Sequence, residues 1–340
     1  MKDTSGEKNR GIGGSGYMKK RWAFMGVACL LAALFLGGVL AVGRTTQWFG
    51  LEVLAKGTSP TWAYSYSTTW DPALSSVEGL DIGWGNGPVE IRAGQGTVIT
   101  VTEYASRPLE EAEQLAVSSS GGVLKIRWDG SIVPLGLLQD WEKRLVVEVP
   151  QAVASQLEEF QCRNFSGDVA VSGFWAQDIQ VASASGNVSI FYLNGETAKV
   201  STVSGNVCWQ GGNVSQLRVE STSGAVDLTG MTSQVCSLET ASGPVHYQGE
   251  GKEFSVETVS APMWAGLSSC PEEADLRSAT GAISLSLPEN NGFEAVHSSI
   301  SGKFTSQFPG EEEDQTLRYK TGGAKLSFTT TSGDVQIKKQ

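Results

Sequence analysis

The histidines and possible nucleophiles limit the chemistry open to this chain. A serine or cysteine hydrolase needs a nucleophile, a general base and a group that orients the base. The 340 residues include two histidines, His246 and His297, and neither has an acid at the spacing of a catalytic motif. No Gly-x-Ser-x-Gly elbow stands between a strand and a helix. We therefore predict that the protein is not an enzyme and that His246 faces solvent from a strand.

Three glutamates recur at almost constant spacing. Glu220, Glu239 and Glu257 lie 19 and 18 residues apart. Three interpretations of this acidic row are open: a solvated face, a surface for a divalent cation or cationic ligand, and a face that cleaves polysaccharide with paired carboxylates. The calcium-binding nonapeptide Gly-Gly-x-Gly-x-Asp is absent. No known metal motif is present, so the sequence predicts no defined metal site and no cofactor, and the three glutamates are predicted to be a possible binding surface.

The cysteines match no zinc motif. Cys162, Cys208, Cys236 and Cys270 are irregularly spaced, whereas zinc sites use short paired spacings. Cys162 and Cys236 fall at apolar positions of the repeat described next, so we predict that both are small buried side chains. The pairing of Cys208 and Cys270 is left open.

A short phrase, Ser-Gly-x-Val, repeats through the second half of the chain. Its serines are 19 residues apart and are Ser166, Ser185, Ser204, Ser223 and Ser242. Around Ser185, apolar side chains stand four residues before (Val181), three after (Val188) and five after (Ile190), with polar residues between them. Alternation of this kind on both sides of the phrase predicts two strands per repeat, each with one buried face.

A 19-residue unit with two strands cannot form a core alone, so the units must stack. The sequence predicts an all-β fold, a parallel β-solenoid of about 19 residues per coil. The glycine after each serine is predicted to occupy a corner, where it needs either a positive φ or close backbone approach. The repeat weakens toward the end of the chain, and Ser260-Ala261 lacks the glycine.

The domain boundaries follow from these patterns. Residues 155–340 are predicted to be the solenoid repeats, and residues 81–154 a β-rich lead-in outside their register. Within the lead-in, proline and acids at the start of 108–115 predict a short helix. The lead-in strands are predicted at residues 88–92, 97–102, 123–128 and 145–150.

An uncharged segment of 22 residues, 22–43, lies near the N-terminus. Its length suits a transmembrane helix, and the basic residues ending at Arg21 predict that residues 1–21 are cytoplasmic. A cleaved signal peptide is the competing interpretation. Residues 44–80 are predicted to be a spacer.

The charge of the chain is unevenly distributed. Residues 45–340 carry 18 basic and 34 acidic side chains, a net charge of −16. Nucleic acids are bound through lysine and arginine at their phosphates, so an acidic body argues against a nucleic-acid partner.

The anchoring segment, the Leu-Val-Val-Glu-Val-Pro strand and the Ser-Gly-Asp/Asn-Val repeats together resemble a bacterial family. It is the membrane-anchored β-repeat family of unknown function labelled "putative adhesin", and the resemblance covers roughly residues 75 to 338. The resemblance implies a cell-surface β-solenoid and supplies no catalytic residues.

The function predicted from the sequence is a non-enzymatic cell-surface scaffold or adhesin. It would be held in the cell membrane by one helix, with an extracellular body that binds another envelope protein or cell-wall glycan. Two alternatives stay open: an envelope-stress regulatory partner that signals through its transmembrane helix, and a polysaccharide-active enzyme.

Overall fold

The computed structural model describes residues 62–71, 76–128 and 142–340. The predicted cytoplasmic tail and transmembrane helix (1–21 and 22–43) lie outside the described residues, as does most of the predicted spacer. In the three described ranges, no helix has the length and apolar character needed to cross a bilayer. These ranges are built mostly of strands, which confirms the all-β prediction.

The strands are numbered in chain order. Those up to residue 202 are β1 (Tyr64–Trp70), β2 (Gly79–Asn86), β3 (Val89–Gly94), β4 (Ile99–Ala105), β5 (Ala116–Ser120), β6 (Val123–Arg127), β7 (Lys143–Pro150), β8 (Leu157–Ser166), β9 (Val169–Ser172), β10 (Trp175–Ser183), β11 (Val188–Phe191) and β12 (Asn194–Thr202). Those after it are β13 (Val207–Ser221), β14 (Val226–Thr240), β15 (Val245–Thr258), β16 (Met263–Leu267), β17 (Glu273–Ser278), β18 (Ile283–Leu287), β19 (Gly292–Ser299), β20 (Phe304–Ser306), β21 (Glu311–Glu313), β22 (Thr316–Lys320), β23 (Ala324–Thr330) and β24 (Val335–Lys339). The described helical segments are a 3-10 turn at Glu111–Glu113 and α1 at Gln151–Ala154.

Each repeat contributes one coil to a parallel, solenoid-like stack. We call the strands before each Ser-Gly corner the first wall and those after it the second wall. Val181 pairs with Val200 on the first wall, and Val188 pairs with Val207 on the second. In β13, β14 and β15 the second wall of one coil runs directly into the first wall of the next. Residues at equivalent repeat positions are therefore vertical neighbours.

The stack extends beyond the repeats into the predicted lead-in. Strand β2 pairs in parallel with β8, and β3 pairs in parallel with β9. Ile82 lies beside Cys162, and Val89 lies beside Val169, so this coil shares the inward columns of the repeats. The order along the first wall is β6-β2-β8-β10-β12-β13-β14-β15-β17-β23-β19.

The last two coils stack in the opposite order to their order in the sequence. Strands β23 and β24, the last of the chain, pair with β17 and β18 on one side. On their other side they pair with β19 and β20, which precede them in sequence. The hairpin of β21 and β22 lies antiparallel along β19 and makes this exchange possible.

Antiparallel strands cap the N-terminal end of the stack. Strand β4 pairs with β7, β1 pairs with β4, and β5 pairs with β6. Covering the end strands in this way protects edges that would otherwise pair with other chains. The predicted helix over 108–115 is wrong, because a single 3-10 turn forms there, flanked by Glu110 and Gln114 in extended conformation. The backbone N–H of Leu115, which a helix would pair with the carbonyl four residues earlier, donates instead to the Glu103 carboxylate (3.0 Å), and that of Leu109 donates to the Tyr66 hydroxyl (2.8 Å).

The inward columns form one continuous apolar core. Trp209 and Tyr247 are fully buried in it, as are Cys162 and Cys236. The prediction that both cysteines are buried is confirmed. Burial raises the pKa of each thiol to about 12, so neither is reactive at neutral pH.

The corner glycines are required by close backbone approach. A Cβ on Gly205 would lie 1.9 Å from the carbonyl oxygen of Gly186, one coil away. A positive φ is found at Gly167, the first corner of the repeat series, but not at Gly186 or Gly205. Of the two predicted reasons for glycine, contact between coils is the general one.

Two polar ladders complete the corners. At the corners from Ser185 to Ser242, the hydroxyl two residues before the serine is buried and bonds to the corner backbone, as when the Gly205 N–H donates to Thr202 Oγ1 at 3.0 Å. Where the residue after the corner glycine is Asp or Asn, its side chain accepts a hydrogen bond from the neighbouring coil, as when the Asn206 N–H donates to Asn187 Oδ1 at 3.0 Å. These bonds satisfy backbone groups that a turn would otherwise leave unpaired.

Candidate functional site

The outward face of the first wall carries the three predicted glutamates as vertical neighbours. Glu220 pairs with Glu239, and Glu239 pairs with Glu257. Their alignment follows directly from the parallel register, since each occupies the same position of its coil. The next residue in the row after Glu257 is Arg277.

Basic side chains interleave with this row. Lys199 lies 3.0 Å from Glu220, and Arg218 bridges Glu220 (2.5 Å) and Glu239 (3.0 Å). Burial raises the pKa of Glu220, but hydrogen bonds from Arg218 and Lys199 outweigh it and leave the pKa below its ordinary value. Over the described ranges, no group of three His, Cys, Asp or Glu side chains is placed to hold a metal ion. The arrangement favours a solvated, mixed-charge face.

Replacing Glu239 with glutamine tests this interpretation. The Glu239 side chain is 39% exposed and pairs with Arg218 on the surface, and exposed ion pairs stabilise a fold by at most about 1 kcal/mol. We expect Glu239→Gln to change the free energy of unfolding by less than about 1 kcal/mol in urea denaturation. A larger loss would show that the carboxylate is bridged to something essential.

The outward face of the second wall carries a row of different chemistry. Cys208, Asp227, His246 and Trp264 are successive vertical neighbours. His246 Nδ1 lies 2.9 Å from Asp227 Oδ1, and the imidazole stacks on the Trp264 ring with centroids 4.4 Å apart. Asp227 stands between the thiol and the imidazole, so the row does not reproduce the nucleophile–base–acid order of a triad. His246 faces outward, as predicted, and is half-exposed.

His297 makes a similar structural contact in β19, the last strand of the first wall. Its ring stacks on Phe304 at 3.9 Å, and its Nε2 lies 3.0 Å from Glu312 Oε1. Glu312 belongs to β21, so this contact joins the terminal hairpin to the last coil.

A second corner, between each second-wall strand and the next first-wall strand, carries three exposed aromatic residues at neighbouring positions of two adjacent coils. These are Trp175 (38% exposed), Phe191 (37%) and Tyr192 (72%). Trp175 is the neighbour of Asn194 in the adjacent coil, and Phe191 is the neighbour of Gln210. Sequence analysis missed this group, because Trp175 belongs to the repeat before that of Phe191 and Tyr192 and becomes their neighbour only when the coils stack.

A shallow cleft lies beside the hairpin of β21 and β22. It is lined by Cys270, Pro271, Glu272, Glu289, Asn290, Asn291, Gly292, Gly323 and Ala324. Hydrogen bonds from Lys320, Lys339 and Tyr319 lower the pKa of Glu289 to about 2. The one carboxylate with a strongly shifted pKa here is therefore engaged by the protein's own cations.

The N-terminal cap contains a buried ion pair. Lys143 and Glu103 are about 1% and 0% exposed and are directly hydrogen-bonded. The Lys143 ammonium also donates to the Glu113 carbonyl and lies 4.4 Å from the Trp128 ring centroid. Burial lowers the pKa of Lys143, and the bond to Glu103 opposes that effect. The pair joins β4 to β7 and to the segment after the 3-10 turn.

Long parallel walls built from stacked coils place this chain in the class of β-repeat proteins. The chain belongs to the Toastrack DUF4097 family, whose profile matches residues 77–338. None of the curated proteins compared with the chain is similar enough to count as a match.

Three solved structures show distant similarity. A "putative adhesin" from Bacteroides fragilis is 12% identical, with 84% of this chain and 100% of that chain covered and a TM-score of 0.41. A "putative lipid binding protein" from Parabacteroides distasonis is 14% identical (81% and 97% covered, TM-score 0.38). A "putative cell adhesion protein" from Clostridium sporogenes is 10% identical (82% and 99% covered, TM-score 0.26). Superpositions at this level carry no argument about the function of this chain.

Proposed function

We propose that this protein is a non-enzymatic, adhesin-like binding scaffold on the outer side of a bacterial membrane. Residues 22–43 anchor it, residues 1–21 stay in the cytoplasm, and a β-solenoid of about 19 residues per coil projects outward. Its partner is cell-wall glycan or another envelope protein. The observation that carries the proposal is the parallel register of both walls, which shifts between Thr229 and Met231 and presents side chains in long rows to solvent.

The chemistry of those rows supports binding more than catalysis. The carboxylates of the first wall are shared with Lys199 and Arg218. On the second wall, Asp227 separates Cys208 from His246, and adjacent strands lie about 4.8 Å apart. The thiol and the imidazole are therefore two strands apart, which is too far for the proton transfer that activates a nucleophile.

Retention on wall material tests the proposal. Full-length protein in lipid nanodiscs should co-sediment with purified peptidoglycan sacculi, and no reducing sugar should be released during the incubation. Empty nanodiscs, and nanodiscs holding an unrelated single-pass protein of similar net charge, serve as controls. Retention no greater than in the controls would contradict a glycan-binding function, and sugar release would contradict a non-enzymatic one.

A further inference from the structure

Tyr192 has a left-handed backbone conformation at a corner position where the neighbouring coils carry glycine. Its φ is +51°, in the left-handed region that costs free energy for residues with a Cβ. At the same corner of neighbouring coils stand Gly173 (φ +81°), Gly211 (+70°) and Gly230 (+67°). Local backbone preference therefore favours glycine at this position, and the tyrosine has to be explained by something else.

The register shows that Tyr192 belongs to this glycine column. Phe191 pairs with Ser172 on one side and with Gln210 on the other. The Tyr192 N–H donates to the Gln210 carbonyl at 3.0 Å, and the Gly173 N–H donates to the Phe191 carbonyl at 3.1 Å. The corner is as regular as its neighbours, so Tyr192 does not repair a defect in the ladder.

The core does not explain the tyrosine either. The side chain is the most exposed of the three aromatic residues at this corner, and 72% of the residue's surface is accessible. Its ring lies across Gly211, where an added Cβ would come within 2.9 Å of the ring atoms Cδ1 and Cε1. Glycine at 211 thus leaves room for the ring to lie along the outside of the next coil. This contact leaves most of the residue exposed, and backbone strain of this kind clusters at ligand-binding sites.

The surroundings of the ring indicate the chemistry of its ligand. Trp175 and Phe191 add two partly exposed rings, and Gln210, Asn194 and Asn213 carry uncharged amide groups at the adjacent rows. Of these amides, Asn194 Oδ1 accepts the Asn213 backbone N–H at 2.9 Å, and Gln210 Nε2 lies 4.0 Å from Cys208 Sγ. Flat rings pack against the apolar C–H face of a sugar, and amides bond to its hydroxyl and acetamido groups. An acidic body of net charge −16 disfavours anionic polymers.

We propose that Tyr192, Trp175 and Phe191 form a stacking site for a neutral glycan chain of β-linked N-acetylhexosamine units. This inference rests on the proposed binding function and names the site and the ligand class. Tyr192 supplies the ring that protrudes most, and its left-handed backbone holds that ring over Gly211. The adjoining coils carry glycine at the equivalent position, so no side chain there obstructs a linear chain lying along the stack.

Replacing Tyr192 with glycine separates binding from folding. The variant restores the residue found at 173, 211 and 230, so its melting temperature should equal or exceed that of the natural protein. Affinity for a soluble β-1,4-linked N-acetylglucosamine hexamer, measured by calorimetry on the full chain in nanodiscs, should fall at least tenfold. Tyr192→Phe should keep most of the affinity, because the ring face is retained. Val296→Ala, which trims an exposed apolar residue far along the chain, should bind like the natural protein.

The outcomes distinguish this site from the general function. Sacculi retention that Tyr192→Gly leaves unchanged would overturn the site while the scaffold function stands. Absence of binding to both hexamer and sacculi in the natural protein would overturn the site and, with it, glycan as the partner of the scaffold. A lower melting temperature with unchanged hexamer affinity would make Tyr192 structural. Loss of self-association by Tyr192→Gly in analytical ultracentrifugation, without loss of hexamer affinity, would assign the corner to contacts between copies and overturn the glycan site.

Discussion

Replacing Gly205 with valine should lower the free energy of unfolding by about 3 kcal/mol, the upper end of the range typical of overpacking. The first added carbon would lie 1.9 Å from the Gly186 carbonyl oxygen. Neither atom can move without separating two coils, because both belong to backbone that is hydrogen-bonded within the stack. Urea denaturation followed by far-ultraviolet circular dichroism measures the loss.

Gly94 provides the matched control for this prediction. It lies at the end of β3, no atom lies within 4 Å of its added Cβ, and its φ is not in the left-handed region. Gly94→Val should therefore leave stability within about 0.5 kcal/mol of the natural protein. Equal effects of the two substitutions would refute coil contact as the reason for the corner glycine. In one coil of the natural protein, Ala261 occupies the corner position in place of glycine. The interval from Gly243 to Ala261 is 18 residues, and two successive N–H groups donate to the Ala241 carbonyl, so the backbone of this coil differs from that of the others.

Removing the ammonium of Lys143 should destabilise the N-terminal cap by about 3–5 kcal/mol, the cost of leaving a buried charge without its partner. In Lys143→Met the Glu103 carboxylate stays fully buried and keeps the N–H of Leu115 at 3.0 Å, but it loses its cation. The contact between the ammonium and the Trp128 ring is lost as well. Hydrogen exchange should show β1, β4 and β7 opening before the repeats, since stability in stacked proteins is local.

The double variant Lys143→Met/Glu103→Leu decides whether the charge is the cause. Replacing both members of a buried pair with apolar side chains is often neutral or stabilising. We expect the double variant to recover most of the loss seen in Lys143→Met. The single variant Glu103→Leu completes the comparison. If the loss of stability in the double variant equals the sum of the losses in the two single variants, the residues act through packing and the ion-pair explanation is incorrect.

The repeats could be predicted from the sequence because burial imposes a period. Val181, Val188 and Ile190 recur at fixed offsets from Ser185, and parallel stacking turns those offsets into columns. The alignment of Glu220 with Glu239 followed from the same register. The coil formed by β2 and β3 could also have been predicted from the sequence. Around Gly87, apolar residues stand five before (Ile82), two after (Val89) and four after (Ile91), as they do around Gly186.

Other features depend on contacts that no local pattern encodes. The exchange of the last two coils depends on the β21–β22 hairpin reversing along β19, whereas repeat spacing alone places the coil of Ser301 next to that of Thr280. The pairing of Lys143 with Glu103 joins residues 40 apart in an irregular region. Tyr192 breaks a glycine column that becomes visible only when the coils are stacked.

Vertical adjacency of equivalent positions is tested most directly by cross-linking Cys208 to an introduced neighbour. Ser189 pairs with Cys208, and Ser284 lies four strands away in the same row. Dibromobimane, which fluoresces when it bridges two nearby thiols, should link Cys208 to position 189 in Ser189→Cys but not to position 284 in Ser284→Cys, as identified by peptide mass spectrometry. A bridge to Cys208 of equal yield in both variants, or in neither, would contradict the stacked register.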